Sequence, residues 1–279
     1  MQFQWYPGHM TKAKRMMQED IKLIDLVIEL VDARIPLSSK NPDIDELAKN
    51  KARLILLNKT DLADEAANRL WQEWYAKQGF YTAQVNSRSG SGIRALPGVI
   101  TQACQPVIEK YQRKGLKNRP IRAMIVGIPN VGKSTFINSF AGKACAKTGN
   151  KPGVTKGKQW IRFGKNVELL DTPGILWPKF EDQNVGLKLA FIGSIRDEIV
   201  NQTDLAYEFI KFMQAQYPDK LYERYPVEPS DNPLTVMERI AEYRKCVARG
   251  NTPDLDRAAL LIMDDFRKGA TGRITLELP

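Results

Sequence analysis

The chain has 279 residues, 43% hydrophobic and 27% charged, enough for one large or two ordinary domains with a full apolar core. The formal net charge is +10, and the excess is concentrated: residues 110–165 carry 14 basic and no acidic side chains. Such a block points to a polyanionic partner, nucleic acid or nucleotide phosphate, with a solvated basic face as the plainer alternative. No apolar run reaches the ~18 residues that span a bilayer; the stretch Leu23–Val31 is interrupted by Asp25 and Glu29. The N-terminus lacks the apolar stretch of a secretory signal. Cys104, Cys145 and Cys246 are too far apart for a disulfide framework or a metal knuckle. His9, the single histidine, excludes a histidine-rich metal centre. A cytoplasmic protein without a membrane partner is expected.

In chain order, Leu26–Val31 and Arg53–Leu57 read as short buried strands. Residues 64–78 have helical spacing, Phe80–Val85 reads as a strand and residues 93–113 as a helix. Ile121–Val126 is a strand running into a glycine-rich turn, and Lys133–Phe140 begins a helix. Gln159–Phe163 and Val167–Leu170 are strands around a Gly164–Asn166 turn. Strands alternating with helices predict an α/β domain, a mostly parallel sheet covered on both faces. After residue 178 the period becomes helical, with Leu205, Phe209, Ile210 and Met213 on one face and Leu255, Ala258, Ala259, Ile262 and Phe266 on another. The expected division is 1–177, an α/β domain, and 178–279, a small helical domain ending in an extended stretch at Ile274–Leu278.

Three motifs carry chemistry. Gly127-Ile-Pro-Asn-Val-Gly132-Lys133-Ser134 fits the phosphate-binding pattern G-x-x-x-x-G-K-[ST], between a strand and a helix as that pattern requires. Backbone N–H groups of Asn130, Val131 and Gly132 and the helix N-terminus suit phosphate oxygens. Lys133 suits the β/γ-phosphates, Ser134 a Mg²⁺ ion and Thr135 the α-phosphate. Asn58-Lys59-Thr60-Asp61 follows a strand and matches N-K-x-D. The Asp61 carboxylate can accept from both N1–H and the 2-amino group of guanine, and adenine offers neither. Asn58 can address the major-groove edge of the base, and the Lys59 stem can cover its face. Asp171-Thr-Pro-Gly174 matches D-x-x-G, where Asp171 would hold Mg²⁺ through water and the Gly174 N–H would sense the γ-phosphate. Thr155 is the candidate switch threonine over Mg²⁺ and the γ-phosphate. Asn86 and Ser87 are a weaker match to a loop that backs up base recognition.

The order of the motifs is permuted: N-K-x-D at 58–61 precedes the phosphate loop at 127–134. With Tyr6-Pro-Gly-His-Met10 and Asp32-Ala-Arg-Ile-Pro36, the chain resembles the ribosome biogenesis GTPase A family, circularly permuted Ras-like P-loop GTPases. The resemblance covers nearly all the chain. It implies GTP/GDP binding, GTP hydrolysis and a role in late maturation of the large ribosomal subunit, with rRNA or the pre-ribosome as partner.

Ras-like enzymes place a water-orienting Gln after D-x-x-G; here Ile175 stands there. Either hydrolysis is slow in isolation or another group serves, and the candidates are His9 or a group from the ribosome. Asn130 resembles the asparagine of potassium-activated GTPases, which suggests a K⁺ ligand; the alternative is that it only stabilises the turn. Of the basic block, only Lys133 is needed for GTP, leaving the rest for RNA phosphates. The competing functional reading is a nucleotide-gated RNA-binding scaffold with incidental hydrolysis.

Overall fold

The computed structural model describes residues 8–116, 119–142, 159–163, 166–172, 174–177, 182–250 and 252–279, with the side chains of 8–10, 13 and 159 outside that set. It divides into two compact units, Gln2–Asp182 with Thr275–Pro279, and Gln183–Ile274. The boundary expected at 177/178 sits five residues earlier, and the return of the last five residues to the first unit was not expected.

The first unit opens with α1 (Gly8–Asp20), then β1 (Leu26–Asp32), α2 (Pro42–Leu47), β2 (Ala52–Asn58), α3 (Glu65–Lys77) and β3 (Tyr81–Val85). It continues through α4 (Leu96–Ala103), α5 (Gln105–Arg113), β4 (Ile121–Val126), α6 (Lys133–Ala141), β5 (Gln159–Phe163) and β6 (Val167–Asp171). The six strands form one sheet in the order β3-β2-β1-β4-β6-β5. All neighbours are parallel except β5 against β6. Every residue of β1 is buried, as expected of a strand covered on both faces.

The single helix expected over 93–113 is two, α4 and α5, broken at Cys104. Pro106 has no N–H to give to the preceding turn, and its ring crowds that turn. Helix α1 was not anticipated. Lys14 of α1 pairs with Asp43 of α2 at 2.8 Å, and Met17 is fully buried. Under α3, Trp71 and Tyr75 are fully buried against Val31, Ala33, Ile55 and Leu57. Asp64 caps α3 by accepting the N–H groups of Ala66 and Ala67 at 2.9 and 3.1 Å.

The second unit is helical: α7 (Gln183–Phe191), α8 (Gln202–Gln216), α9 (Pro218–Arg224), α10 (Pro233–Tyr243) and α11 (Leu255–Lys268). Leu205, Phe209, Ile210 and Met213 of α8 are buried with Ala258, Ala259, Ile262 and Phe266 of α11, the faces that the period marked. The Phe209 and Phe266 rings lie 4.7 Å apart. Asp265 accepts from Arg224 at 2.8 Å, the Tyr225 hydroxyl at 2.8 Å and Arg244 at 3.1 Å, which ties α9 and the end of α10 to α11. Among the described residues no helix is long and apolar enough to cross a membrane.

Candidate nucleotide site

Because β1, β2, β3, β4 and β6 run parallel, their C-terminal ends lie along one edge of the sheet, where open α/β sheets bind ligands. Asp32, Asn58, Val85, Val126 and Asp171 terminate them in turn. The permuted order therefore leaves the motifs spatially together: each loop still leaves its own strand, and only the connections between strands have changed.

The phosphate loop joins β4 to α6. Gly132 adopts a left-handed backbone (φ 96), and a Cβ there would come 2.7 Å from the Asn58 amide nitrogen. Asn130 is also left-handed, at φ 63, a conformation that asparagine tolerates better than most residues. Lys133 curls back over the loop, donating to the carbonyls of Gly127 and Ile128 at 2.8 and 2.9 Å. Burial pushes its ammonium down to about 8, with the Asp171 charge opposing. Ser134 and Thr135 lie half-buried in the first turn of α6.

The N-K-x-D loop is bolted to this one. The Asn58 amide donates to the Val131 carbonyl at 2.7 Å, and its oxygen accepts from the Ser87 N–H at 3.1 Å and the Ser87 hydroxyl at 2.8 Å. One side chain thus joins the loops after β2, β3 and β4. Asn86 braces the last of these contacts by accepting the Arg88 and Ser89 N–H groups. Thr60 donates its hydroxyl to the Val85 carbonyl at 3.2 Å. Lys59, left-handed at φ 60, donates to Asp32 at 2.9 Å and to the Asn130 carbonyl at 2.7 Å. Burial lowers its ammonium pKa and the Asp32 charge opposes the shift. Asp61 is exposed beyond this anchored base.

Asp32 and Arg34, which sequence reasoning marked only through a resemblance, form a buried ion pair beside the N-K-x-D loop. Asp32 is fully buried and accepts from the Arg34 Nε at 2.9 Å, the Arg34 Nη2 at 2.9 Å and Lys59. Burial alone would raise its carboxyl pKa; Arg34 and Lys59 override this and hold it well below the usual carboxylate range. The fork of guanidinium on carboxylate fixes the pair in one geometry. The signal available in sequence was the D-x-R spacing at the end of a buried strand.

In the D-x-x-G loop, Asp171 is buried at the end of β6, and the Thr172 hydroxyl donates to the Ile125 carbonyl at 2.6 Å. A Cβ on Gly174 would lie 2.7 Å from the Lys133 ammonium and 3.1 Å from the Pro129 backbone, so a side chain there would press on both the lysine and the phosphate loop. Ile175 and Leu176 are buried, and the Asn41 amide holds the Ile175 carbonyl at 3.3 Å. Glu29 holds the Asn41 N–H at 3.0 Å in turn. Among the described residues no group of three or more His, Cys, Asp or Glu is placed to hold a metal ion. Ser134 and Asp171 are instead hard oxygen donors few in number, the set with which Mg²⁺ is bound beside phosphate and water.

Thr155 lies outside the described residues, as do Lys117, Lys143, Lys147, Lys151, Lys156, Lys158 and Lys165. His9 is in the first turn of α1, its side chain outside the described set. The expectation that the remaining basic residues are uncommitted needs correction. Arg122 and Arg162 both pair with Glu168, at 3.3 and 3.1 Å. Arg119 stacks 4.2 Å from the Tyr111 ring centre. Glu168, just outside the acid-free block, neutralises part of it. Lys110 and Lys114 are exposed on and beside α5.

Comparison with known proteins agrees with this geometry. A family model described as "50S ribosome-binding GTPase" matches residues 122–238, a span that holds the phosphate loop and D-x-x-G but not the permuted N-K-x-D. Ribosome biogenesis GTPase A of Bacillus cereus is 47% identical over 100% of this chain and 95% of its own length. The protein of that name from Thermotoga maritima is 32% identical over 99% of this chain and 94% of its own length. The crystal structure of GNP-bound YlqF from T. maritima is 29% identical, with a TM-score of 0.69, covering 96% of this chain and 98% of that one. A P-loop GTPase with its motifs permuted around one sheet edge, the chain belongs to the ribosome biogenesis GTPase A family.

Proposed function

We propose that this GTPase serves late maturation of the large ribosomal subunit, binding rRNA or the pre-ribosome according to its nucleotide state in the cytoplasm. The observation that carries the reading is the joining of the guanine loop to the phosphate loop by Asn58 and Lys59. A base held at Asp61 and phosphates held at Gly127–Thr135 are then read by one rigid frame. The names of the relatives supply the ribosomal partner.

In this reading Asp61 selects guanine, and the N–H groups of Asn130, Val131 and Gly132 with Thr135 cradle the phosphates. Lys133 exchanges its two loop carbonyls for phosphate oxygens, which restores the charge that burial disfavours. Ser134, Thr155 and, through water, Asp171 would hold Mg²⁺, which when bound neutralises charge developing on the phosphates. Gly174 closes on the γ-phosphate. The left-handed backbone at Asn130 already accounts for that residue, so the potassium role gains no separate support from geometry. The exposed Lys110 and Lys114, with the lysines of 143–158, offer the phosphate-backbone contacts.

Buried Ile175 and Leu176 favour the second reading, a nucleotide-gated RNA-binding scaffold, to this extent: neither can orient water. Under the first reading His9 or a ribosomal group does so. Sedimentation with large ribosomal subunits tests the shared premise. Co-sedimentation is expected with a non-hydrolysable GTP analogue and is expected to weaken with GDP and with rising salt. Binding indifferent to both would reject the proposal.

A further inference from the structure

The C-terminal residues return from the helical unit to pack on the nucleotide-binding unit. The Glu277 carboxylate accepts the backbone N–H groups of Leu37 and Ser38 at 2.7 and 2.8 Å, and its second oxygen accepts the Ser38 hydroxyl. The Leu276 N–H donates to the Arg34 carbonyl at 2.8 Å, and the Leu276 side chain is buried. The Thr275 hydroxyl accepts the Asp64 N–H at 3.0 Å, and the Trp71 indole N–H donates to the Glu277 carbonyl at 3.0 Å.

These partners flank the guanine element from both sides. Arg34 grips both oxygens of Asp32, and Asp32 grips Lys59 of the N-K-x-D loop. Asp64 caps the helix that begins four residues after Asp61. A carboxylate that receives two main-chain N–H bonds and a hydroxyl fixes its loop in one register, more firmly than neutral hydrogen bonds do.

We propose that Glu277 is a positioning residue for guanine recognition, holding the 34–38 loop so that the Arg34–Asp32–Lys59 chain presents Asp61 to the base. The proposal rests on the reading of Asn58–Asp61 as the guanine element. It also gives the helical unit a route to the nucleotide. The chain enters that unit from the D-x-x-G segment and leaves it into this strap, so both of its covalent connections lead to nucleotide loops.

The test is calorimetric binding of GDP and of inosine diphosphate, which lacks the 2-amino group, to the full chain. Glu277→Ala is expected to weaken GDP about tenfold, the scale of lost hydrogen bonds to a charged group, and to lower the ratio of GDP to inosine diphosphate affinity. Glu277→Gln is expected to stay within about threefold of the native chain, since its amide oxygen still accepts both N–H groups and its nitrogen can donate to Ser38. GDP affinity unchanged in Glu277→Ala, or equal losses for the two nucleotides, overturns the proposal. Asp61→Asn measured alongside separates the failures. If it keeps GDP affinity, the guanine-element reading itself is wrong; if it loses GDP while Glu277→Ala does not, only the strap is wrong.

Discussion

Replacing Lys133 with methionine is expected to lower GTP turnover by at least about 10²–10³-fold, the loss seen when one preorganised charge leaves an active site. Methionine keeps an unbranched apolar stem and removes only the ammonium. That ammonium is buried and bonded to two carbonyls of its own loop. Burial lowers its pKa to about 8, so the folded state holds the charge less readily than the unfolded chain does. Two effects on stability oppose each other: the buried charge is relieved, while the Gly127 and Ile128 carbonyls lose a donor, so the melting temperature should move little. Activity and stability would then move apart, which a merely damaged fold would not produce. Single-turnover hydrolysis and thermal melts on the same preparation check both halves.

Asp61→Asn is expected to exchange base specificity. The carboxylate accepts from the two donors on the Watson–Crick side of guanine; an amide turns a donor toward one of them. GTP affinity should fall by roughly 10³-fold or more, because a site built on hydrogen bonds leaves buried groups unpaired with the wrong partner. Xanthosine triphosphate, with an oxygen in place of the 2-amino group, should gain affinity. Asp61 is exposed, while Asn58 and Lys59 hold the loop to the phosphate loop. The frame should therefore survive the change. Equilibrium titration with the two nucleotides reads the exchange directly.

The sheet and the motif loops were legible because the chemistry they serve leaves few residue choices. Glycine at 132 and 174 answers to space measured in tenths of an ångström, and N-K-x-D answers to donors on a base. The parallel sheet followed from strands alternating with helices along the chain. Other features gave weaker signals. Among its described side chains helix α1 buries Met17 and Asp20, with Ile21 following in a short 3-10 turn, so its apolar period is faint beneath a Pro-Gly start. The break at Cys104 required weighing Pro106 against a continuous apolar face. Asp32 and Arg34 are two residues apart, and spacing alone does not separate a buried fork from a solvated pair. The segment at 275–279 has no period, and it is held by the Glu277 carboxylate, the Thr275 hydroxyl and the Trp71 indole across more than two hundred residues. The basic block is a concentration of charge but not a wholly free surface, since Glu168 comes beside Arg122 and Arg162 once β6 pairs with β4 and β5.

In the proposed function, hydrolysis of GTP on this frame is completed by the large ribosomal subunit. Ile175 and Leu176 are buried where a water-orienting side chain would stand. The most direct test is GTP turnover by the unmodified chain with and without purified large ribosomal subunits. Stimulation of about tenfold or more is expected, the behaviour of a GTPase completed by its partner. Turnover that is the same in both conditions would contradict the account and leave the scaffold reading in its place.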